Sequence, residues 1–590
     1  MRAVRWIAGI AFLAAMGAPV QAATPEAVLD EPPAAAPETA EPVLRVLSAA
    51  DAELYKEIFA LQEDGRWSEA DKKIAAVEND ILMGYVQYQR YMHPTAYRSK
   101  FSELKRWMAY YADLPEADKI YSLARRRQPR DQSAPVRPIS RKWRSEPGKE
   151  LHPDLVADYE KTGEARTRRI EGRVRYLANR ERALVAQREI DNHLRRGTIT
   201  TRQYDRMRSW IAASLYYQGY VDAAQEIAES AADRNGETAV LAYWIAGLIE
   251  FRKGDIAGAH DHFSAMAAVP YQEDSLRAGA GFWAARTALA AGAPADVTPN
   301  LEIAARYPFT FYGQLSLAQL GRAYDFNWAP PELTQEDFDK LTQEQPRILR
   351  AIALAEAGRT SDADIELRWA NGAVEEELTK PLLAIAFALD LPAAQIDIAL
   401  SDDNPALHAG LFPIPHYTPE NGFRVDRALL YALMRQESKF KTDATSRVGA
   451  RGLMQLMPRT ASYIAGDRSL RYRSGRERLY DPSYNMELGQ TYVDHLMTRS
   501  VDGDLFNLAA AYNGGPGNLR RWQRAVEVED PLLFIESIPN RESRDFVEKV
   551  LTNFWVYRAR LGQPAPSRDK VAAGELPLYE ALDRIAGQGD

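Results

Sequence analysis

The segment YALMRQESKF (431–440) carries a glutamate, Glu437, in a setting where a carboxylate needs an explanation. On a helix, Leu430, Leu433 and Met434 precede it by seven, four and three residues and therefore share its face. That face is apolar and is predicted to point toward a core. A carboxylate there must find a cation, hold a proton or take part in chemistry.

Two glycine-containing segments follow, and each exposes backbone that a ligand can approach closely. In SRVGARGLMQLMPRTA (446–461), a turn precedes LMQLMPRTA, where a helix is predicted to resume and to bring Gln455 near Glu437. In LAAAYNGGPGN (508–518), a helix is predicted to end near Tyr512 and to enter a glycine-rich loop. Together these segments predict a site around Glu437.

Taken singly, each segment also has a plain structural interpretation. RQES on a helix is most often part of a salt-bridged surface, Met454 and Met457 are most often core residues, and AYNGGPG is most often a helix end. The arginine-rich run RSLRYRSGRER (468–478) is predicted to be a solvated loop. The 8 histidines show no metal-ligand spacing, and there is no cysteine nucleophile, phosphate loop or dinucleotide fingerprint, so we predict no metal and no cofactor.

The first residues of the chain predict export. Arg2 and Arg5 precede the apolar stretch WIAGIAFLAAMGAPV and the small-residue site VQA, which is the order of a secretory signal peptide, here 1–22. An uncleaved membrane anchor is the alternative. The chain has no cysteine, so it has neither a lipid-acceptor cysteine nor disulfides. We therefore predict a soluble periplasmic protein without a stable membrane anchor.

The net charge of −8 is unevenly distributed along the chain. Residues 421–563 contain 22 Lys and Arg against 17 Asp and Glu, a balance of +5, so the remainder carries −13. A mildly basic C-terminal region on an acidic body suits an anionic polymer as substrate. Nucleic acid is not expected as a partner of an exported protein of this kind.

A leader rich in alanine, proline and glutamate (23–43) precedes a long region, 44–400, with apolar residues at helical spacing. Four segments of this region share a turn glycine followed five residues later by an alanine, and they start at Gly65, Gly219, Gly254 and Gly358. The pattern predicts stacked helical hairpins of tetratricopeptide-like period, with the alanine where two helices pack closely. The proline- and arginine-rich stretch 128–154 is predicted to be a long loop or an insertion.

The remainder of the chain is predicted to form a separate domain. Residues 401–422 contain four prolines and are expected to link the helical-repeat region to a C-terminal α-rich domain, 423–563. Asp426 is predicted to cap the helix that carries Glu437. Residues 564–590 are expected to be a peripheral tail. The predicted fold class is therefore all-α, with a superhelical repeat domain, a linker and a C-terminal domain.

Five motifs in fixed order resemble the lysozyme-like catalytic domain of the lytic transglycosylases, in the goose-lysozyme-related group. They are RQESKF, SRVGARGLMQLMPRTA, NMELGQTY, AAYNGGPGN and IESIPNRESRDFV, all within residues 427–563. The resemblance implies that Glu437 is catalytic and that Tyr512 is its polar partner. It also implies a set of substrate-binding residues, namely Ser446, Gly449, Met454, Gln455, Asn485, Tyr492, Asn513 and Glu542.

The resemblance extends upstream. FTFYGQLSLAQLG (309–321) is similar to a segment near the end of the superhelical domain in the soluble, seventy-kilodalton type of lytic transglycosylase. Two positions of the last motif depart from the family: Ser543 stands where threonine is usual, and Phe546 stands where tyrosine is usual. The second change removes a hydroxyl group and any hydrogen bond that depends on it.

The resemblance implies an exo-acting peptidoglycan lytic transglycosylase, a carbon–oxygen lyase of cell-wall turnover that cuts murein between N-acetylmuramic acid and N-acetylglucosamine. Glu437 would protonate the leaving oxygen and then deprotonate the muramoyl 6-hydroxyl, which attacks the anomeric carbon and leaves a 1,6-anhydro end. The N-acetyl group of the substrate would replace a second carboxylate. The residues themselves do not separate cutting at strand ends from cutting within strands, and protein partners in wall synthesis or division stay open.

Two other functions stay open at this point. In a hydrolase of the goose-lysozyme type, a second carboxylate such as Asp443 would activate water. In a non-catalytic protein, the helical repeats would be a scaffold for a degenerate sugar-binding domain. The intact Glu437, Gln455 and Tyr512 argue against the second alternative.

Overall fold

The computed structural model describes residues 43–583, apart from 141–143, 145–147, 149, 325 and 403. The predicted signal peptide and residues 23–42 of the predicted leader lie outside the described residues. Throughout the described ranges the regular elements are helices, and β-type pairing is limited to isolated bridges. None of these helices is long and apolar enough to cross a membrane. The all-α prediction is confirmed.

The first part of the chain, here called the helical body, consists of helices that pack mainly on their neighbours in sequence. Its first half contains α1 (Ala49–Glu63), α2 (Trp67–Ile74), α3 (Met83–Tyr91), α4 (Phe101–Tyr111), α5 (Ala117–Arg127), α6 (Pro153–Thr162), α7 (Glu164–Ala178), α8 (Ala183–Arg195), α9 (Thr201–Tyr217) and α10 (Val221–Asn235). Its second half contains α11 (Val240–Lys253), α12 (Ile256–Ala268), α13 (Asp274–Ala290), α14 (Val297–Ala305), α15 (Phe311–Gln319), α16 (Gln335–Glu344), α17 (Pro346–Glu356), α18 (Thr360–Asn371), α19 (Thr379–Ala388), α20 (Pro392–Ala399) and α21 (His408–Leu411).

The predicted repeat pattern corresponds to helical hairpins. The four turn glycines all have positive φ, between 72° and 87°, and each lies two residues before the first residue of α2, α10, α12 or α18. The alanines five residues later have no exposed surface: Ala70, Ala224, Ala259 and Ala363. Each of these helices packs on the helix before it. A larger side chain at the alanine would separate the two helices, which explains the small residue.

The two ends of the helical body contact each other. The backbone N–H of Leu47 donates to Glu356 at 2.9 Å. The Tyr85 hydroxyl donates to the buried carboxylate of Glu366 at 2.6 Å, and Arg350 Nε donates to the same carboxylate at 2.8 Å. The contacts of Leu47 with Glu356 and of Tyr85 with Glu366 join residues about 300 positions apart, so the helical body closes on itself.

The stretch between α5 and α6 has no helix among its described residues, in agreement with the predicted loop. It is nevertheless tied to the helical body. The backbone N–H of Ile139 donates to the carbonyl of Ala112 at 2.9 Å. Arg144 donates to Thr379 Oγ1 at 2.6 Å and to the carbonyl of Val374 at 2.8 Å. The loop therefore links the region after α4 to the start of α19.

The C-terminal part of the chain has shorter helices around one long helix. It contains α22 (Arg427–Ser438), α23 (Pro458–Ile464), α24 (Arg473–Arg476), α25 (Pro482–Leu496), α26 (Leu505–Gly514), α27 (Pro516–Val526), α28 (Pro531–Ser537), α29 (Arg541–Arg560) and α30 (Pro566–Ala572). The helix that carries Glu437, α22, packs along α29. The run 468–478 forms α24 and two 3₁₀ turns, so the prediction of a loop there is wrong.

The residues after 564 are not a peripheral tail, and that prediction is wrong for the described part of this stretch. Helix α30 packs on α15 of the helical body, where Gln319 donates to the carbonyl of Ala572 at 2.7 Å. Leu578 forms a β-bridge with Asp504. The backbone N–H of Leu582 donates to the buried carboxylate of Asp426 at 3.0 Å. These residues complete the C-terminal domain because they satisfy polar groups that it buries.

The helical body and the C-terminal domain meet through buried polar contacts. Tyr312, from the predicted segment 309–321, donates its hydroxyl proton to Glu536. The hydroxyls of Tyr216 and Ser537 are hydrogen-bonded at 2.7 Å. All four of these side chains are buried, so the contact fixes α9 and α15 of the body against α28.

Candidate active site

Helix α22 presents Glu437 at the edge of the core of the C-terminal domain. Leu429, Leu430, Leu433 and Met434 on this helix are fully buried. Glu437 is only partly exposed, one turn further on. The helix ends directly after it, because the following residues adopt the left-handed conformation, beginning with φ 49° at the residue after Ser438. The predicted apolar face is therefore present, and the carboxyl group lies where that face reaches the surface.

The carboxyl group of Glu437 favours its protonated form. Burial, and then the negative charge of Glu542, raise its pKa from 4.5 to about 8. Across the described residues, no group donates a hydrogen bond to this carboxyl, and no cation counteracts the two effects. Of the three possibilities raised by the sequence, the structure therefore favours a carboxyl group that holds a proton at neutral pH.

The start of α22 differs from the prediction. Asp426 occupies the N-cap position, but its side chain makes no capping hydrogen bond, so the predicted cap is wrong. Its carboxylate instead accepts from Arg558 at 2.7 Å and from Leu582 N–H at 3.0 Å. The cap is supplied from elsewhere: the N–H of Arg427, the first residue of α22, donates to Asp583 at 2.8 Å.

The segment between α22 and α23 is a compact loop rather than the start of a helix. Bridges pair Thr445 with Arg451 and Arg451 with Leu456, and α23 begins only at Pro458. The predicted helix over LMQL is therefore wrong. Gln455 has a φ of 46°, and its amide nitrogen donates to the carbonyls of residues 444 and 452, at 3.1 and 2.9 Å. These two hydrogen bonds of Gln455 stabilise the loop, and its side-chain oxygen is available as an acceptor.

Two of the predicted substrate-binding side chains are inaccessible. Asn485 is fully buried, accepts from the N–H of Met454 at 2.8 Å and donates to the carbonyls of Leu479 and Arg451 at 2.8 and 3.1 Å. The Met454 side chain is also fully buried. Both residues are predicted to bind substrate, but their side chains have no exposed surface in this structure. Asn485 instead positions the backbone at Met454.

Tyr512 connects this loop to Glu437. Its hydroxyl donates to the carbonyl of Met454 at 2.9 Å, and the ring is 9% exposed. Burial and the charge of Glu437 raise the pKa of Tyr512 well above its usual value. The ring of Tyr492 lies 5.4 Å from that of Tyr512, centroid to centroid. Glu437, Tyr512, Tyr492 and the loop therefore form one site.

The two departures from the family motif are accommodated by packing and by a retained hydroxyl. Phe546 is buried and stacks parallel to Tyr512, with centroids 6.3 Å apart and 8° between the ring planes. Ser543 donates to Asn513 Oδ1 at 2.6 Å, a bond that a threonine hydroxyl would also provide. Phe546 lacks the hydroxyl group of the family's tyrosine, and its ring packs against the ring of Tyr512 instead.

The remaining predicted residues lie around the site. Asn513 is at the end of α26, and a single residue, Gly515 with φ 84°, separates α26 from α27, so the predicted glycine-rich loop is only a tight junction. Glu542 is exposed in the first turn of α29. Ser446 accepts from the N–H of Ala450 at 3.0 Å and is partly exposed. Gly449 has a φ of 93° and open space where a side chain would be.

Sequence reasoning missed the residues that hold α22 from outside the motifs. The Tyr579 hydroxyl accepts from the N–H of Asp426 at 3.0 Å, and Asp583 caps the helix. These contacts span more than 150 residues, and no local pattern signals them.

In the described parts of the chain, no group of three or more His, Cys, Asp and Glu side chains is arranged to hold a metal ion.

The family model described as "Transglycosylase SLT domain" matches residues 417–534. This part of the chain is therefore similar to the transglycosylase SLT domain family, and residues 417–534 are called the SLT domain below. The SLT domain contains Glu437, Tyr512 and the loop between α22 and α23. The resemblance inferred from the motifs is therefore confirmed.

Curated relatives also resemble this chain. The soluble lytic murein transglycosylase of Escherichia coli (strain K12) is 29% identical over 264 residues, which are 43% of this chain and 39% of the relative. That of Salmonella typhimurium is 35% identical over 143 residues, 24% of this chain and 22% of the relative. The chain thus matches about two fifths or less of the length of these relatives.

Solved structures extend the likeness to the whole fold. The 70 kDa soluble lytic transglycosylase Slt70 from Escherichia coli matches with a TM-score of 0.53 and 18% identity, over 87% of this chain and 97% of that chain. A complex of the 70-kDa soluble lytic transglycosylase with bulgecin A matches with a TM-score of 0.54 and 17% identity, over 90% and 98%. The helical body and the SLT domain therefore share the fold of these proteins.

Proposed function

We propose that this protein is a peptidoglycan lytic transglycosylase that uses Glu437 first as a general acid and then as a general base. The observation that carries the proposal is the pKa of about 8 to which burial and the charge of Glu542 raise Glu437, within an SLT domain. The curated relatives are named as murein transglycosylases, which supports murein as the substrate.

The first step needs a proton at the leaving group. Glu437 transfers its carboxyl proton to the glycosidic oxygen between N-acetylmuramic acid and N-acetylglucosamine, and the bond between that oxygen and the anomeric carbon breaks. A carboxyl group with a pKa of about 8 is mostly protonated at neutral pH and is therefore ready for this role.

The second step uses the carboxylate that the first step leaves behind. Glu437 removes the proton of the muramoyl 6-hydroxyl while that oxygen bonds to the anomeric carbon, which closes a 1,6-anhydro ring. No water is consumed, and the carboxyl group of Glu437 ends protonated, as it began. The raised pKa also suits this step, because it makes the carboxylate a stronger base than an ordinary glutamate.

Tyr512 orients the reacting sugar through its oxygen. The Tyr512 hydroxyl donates its hydrogen bond to the carbonyl of Met454 at 2.9 Å. Its oxygen therefore acts as an acceptor for a hydroxyl or amide N–H of the substrate. Asn485 and Gln455 support this arrangement from behind, because they hold the loop to which Met454 belongs. Ser446, Asn513 and Glu542 border the site and are proposed to contact sugar rings.

The hydrolytic alternative requires a second carboxylate to activate water, and Asp443 is the candidate from the sequence. Asp443 is exposed, and its charge acts on Asp362 and Lys119 of the helical body. Its neighbour Thr442 is hydrogen-bonded to Ser361 of the same body at 2.7 Å. Among the described residues, Glu542 is the carboxylate whose charge raises the pKa of Glu437. A water-activating role for Asp443 is therefore not favoured.

The predicted signal peptide and the proposed substrate suit a periplasmic enzyme of cell-wall turnover. Attack from strand ends is part of the proposal. Partners in wall synthesis or division are not assigned.

The proposal is tested by mass spectrometry of the soluble products that the purified protein releases from peptidoglycan. The expected products are muropeptides with 1,6-anhydro ends, lighter than hydrolysis products by one water. Reducing ends of full mass would contradict the mechanism and indicate an activated water. The Glu542→Gln variant would then show whether that carboxylate activates it, because only a hydrolase using Glu542 would lose activity entirely.

A further inference from the structure

A surface cavity of about 540 Å³ lies in the SLT domain outside the site described above. Its lining consists of Pro458 and Arg459 from the start of α23, and of Arg471, Tyr472 and Arg476 from the arginine-rich run. Three arginines therefore line one cavity, and no acidic residue is among its described lining. The proposed reaction does not use these residues.

The arginines are held in place by neutral groups. Arg471 Nε donates to Ser462 Oγ at 3.0 Å, and Arg476 donates to the carbonyl of Arg471 at 2.5 Å. The Nε of Arg476 is buried and has no hydrogen-bond partner within the described residues. A buried N–H without a partner is costly and is usually satisfied by a water or a ligand.

The cavity arginines differ from another arginine of the same run. Arg478 forms an ion pair with Asp467 at 3.0 Å. In the described part of the chain, Arg459, Arg471 and Arg476 form no ion pair with a carboxylate. Within the described residues their charges are not paired with a carboxylate, and an anion in the cavity would find several charge-assisted donors at once.

The walls of the cavity are continuous with the loop of the candidate active site. Pro458 follows that loop directly in sequence. After the arginine-rich run, Tyr480 is hydrogen-bonded to Thr445 of the loop at 2.6 Å. The carbonyl of Leu479 accepts from Asn485, which also holds Met454. The cavity therefore adjoins the active-site loop in sequence at Pro458, and the residues after the arginine-rich run are hydrogen-bonded to that loop.

We propose that this cavity binds carboxylate groups of the peptide attached to the glycan strand that is being cut. The inference rests on the proposed function, because a murein strand carries such acidic peptides on its muramoyl residues. Arginine recognises carboxylates through paired N–H donors. Tyr472, which is 68% exposed, provides an aromatic face for the peptide backbone. The cavity would thus favour strands that still carry their peptides.

The test compares two substrates and three variants. The substrates are peptidoglycan strands with intact peptides and the same strands after an amidase has removed the peptides. The variants are Arg459→Gln, Arg471→Gln and, as a matched control, Arg473→Gln. Arg473 is an exposed arginine of the same run that does not line the cavity. Arg459 is exposed at the surface, so its replacement carries little risk to folding.

For Arg459→Gln and Arg471→Gln, we expect KM for the peptide-bearing strands to rise about threefold to tenfold, since each variant loses charge-assisted donors at a partly solvated site. KM for the peptide-free strands should not change, and Arg473→Gln should change neither value. An equal rise with both substrates, or no rise at all, would overturn the inference while leaving the proposed reaction intact.

If neither substrate is cut, a binding measurement tests the carboxylate site without relying on activity. Such a result would count against the proposed function, and the cavity would then be probed by calorimetry with the dipeptide N-acetyl-alanyl-glutamate. Weaker binding to Arg459→Gln than to the unaltered protein and to Arg473→Gln would support a carboxylate site. Equal binding to all three, or equally tight binding of inorganic phosphate, would overturn it.

Discussion

Two buried carboxyl groups in the C-terminal part of the chain have raised pKa values, but their surroundings differ. Burial and the charge of Glu542 raise the pKa of Glu437, which has no hydrogen-bond donor among the described residues and lies at the edge of the core. Burial also raises the pKa of Glu536, which shares a hydrogen bond with Glu548 and accepts a hydrogen bond from the Tyr312 hydroxyl. Glu536 is 4% exposed, between the helical body and α28.

The difference shows that a raised pKa does not by itself identify a catalytic acid. Glu536 is buried and accepts hydrogen bonds from Tyr312 and Glu548, so the proton that it shares with Glu548 stabilises an interface. Glu437 is accessible and has no hydrogen-bond donor among the described residues, so its proton can be transferred. Glu437 and Glu536 therefore differ in their hydrogen-bond partners and in their access to a ligand rather than in the direction of their pKa shifts. The following predictions test this difference.

The largest expected effect is on activity. Glu437→Gln removes the transferable proton, so the rate of product release from peptidoglycan should fall by about 10²- to 10⁴-fold or more. Glu536→Gln keeps a neutral side chain of the same shape at the interface, and its folded fraction should keep most of its activity. Both variants should be compared at equal folded concentration by the release of soluble muropeptides.

Circular dichroism and glycan binding serve as controls for this comparison. If Glu437→Gln kept substantial activity, Glu437 would not be the acid. If Glu536→Gln lost as much as Glu437→Gln while folded, the assignment of Glu536 to a structural role would fail.

The next largest effect is on stability. Tyr312→Phe removes the donor to Glu536 and leaves a buried carboxyl oxygen without that partner, so the free energy of unfolding should fall by about 1–3 kcal/mol. Urea unfolding followed by tryptophan fluorescence measures this change. Tyr110→Phe is the matched control, because Tyr110 is 75% exposed, and it should leave the midpoint unchanged. Equal midpoints for the two variants would mean that the Tyr312 contact contributes nothing.

A smaller effect concerns the pH dependence of stability. The pKa of Glu437 is about 8 in the folded protein and about 4.5 when exposed, so the folded state binds this proton more tightly. The resulting stabilisation is complete below about pH 4.5 and is lost as pH rises toward 8. Relative to Glu437→Gln, the unaltered protein should therefore lose about 1–2 kcal/mol between pH 5 and pH 8, allowing for partial exposure. A constant difference between the two urea midpoints across this range would show that Glu437 ionises as an ordinary glutamate.

The smallest effect is a shift of the pH profile of activity. Since the proposed first step requires a protonated Glu437, kcat/KM should decline as pH rises through about 8. Glu542→Gln removes the negative charge that raises the pKa of Glu437, so the decline should move to lower pH. The exposed Glu529→Gln is the control and should leave the profile in place. A shift to higher pH in Glu542→Gln would contradict the electrostatic role of Glu542.

Local patterns predicted much of the fold and the centre of the site. The buried alanines of the hairpins and the apolar face before Glu437 follow from spacing within a few residues, and both predictions are confirmed. Motif membership, in contrast, does not reveal whether a side chain points outward. Asn485 and Met454 belong to the motifs, yet their side chains support the loop from the core instead of facing a ligand.

Predictions that depended on distant contacts were wrong. Asp426 has the residue type and position of an N-cap, but its carboxylate accepts hydrogen bonds from Arg558 and Leu582. Asp583 caps the helix instead. The same contacts explain why the residues after 564 are not peripheral. A cap that lies 156 residues from the helix it completes leaves no trace in local sequence.

The cap supplied by Asp583 has a consequence for the order in which the protein matures. A chain synthesised from its N-terminus presents the helical body and α22 well before residues 579–583 emerge. Until those residues arrive, Asp426 and Arg558 are a buried pair without its full set of partners, and the helix of Glu437 begins without its cap. The helix that carries Glu437 therefore reaches its final form only after the last described residues have been added, when the helical body is already complete in sequence.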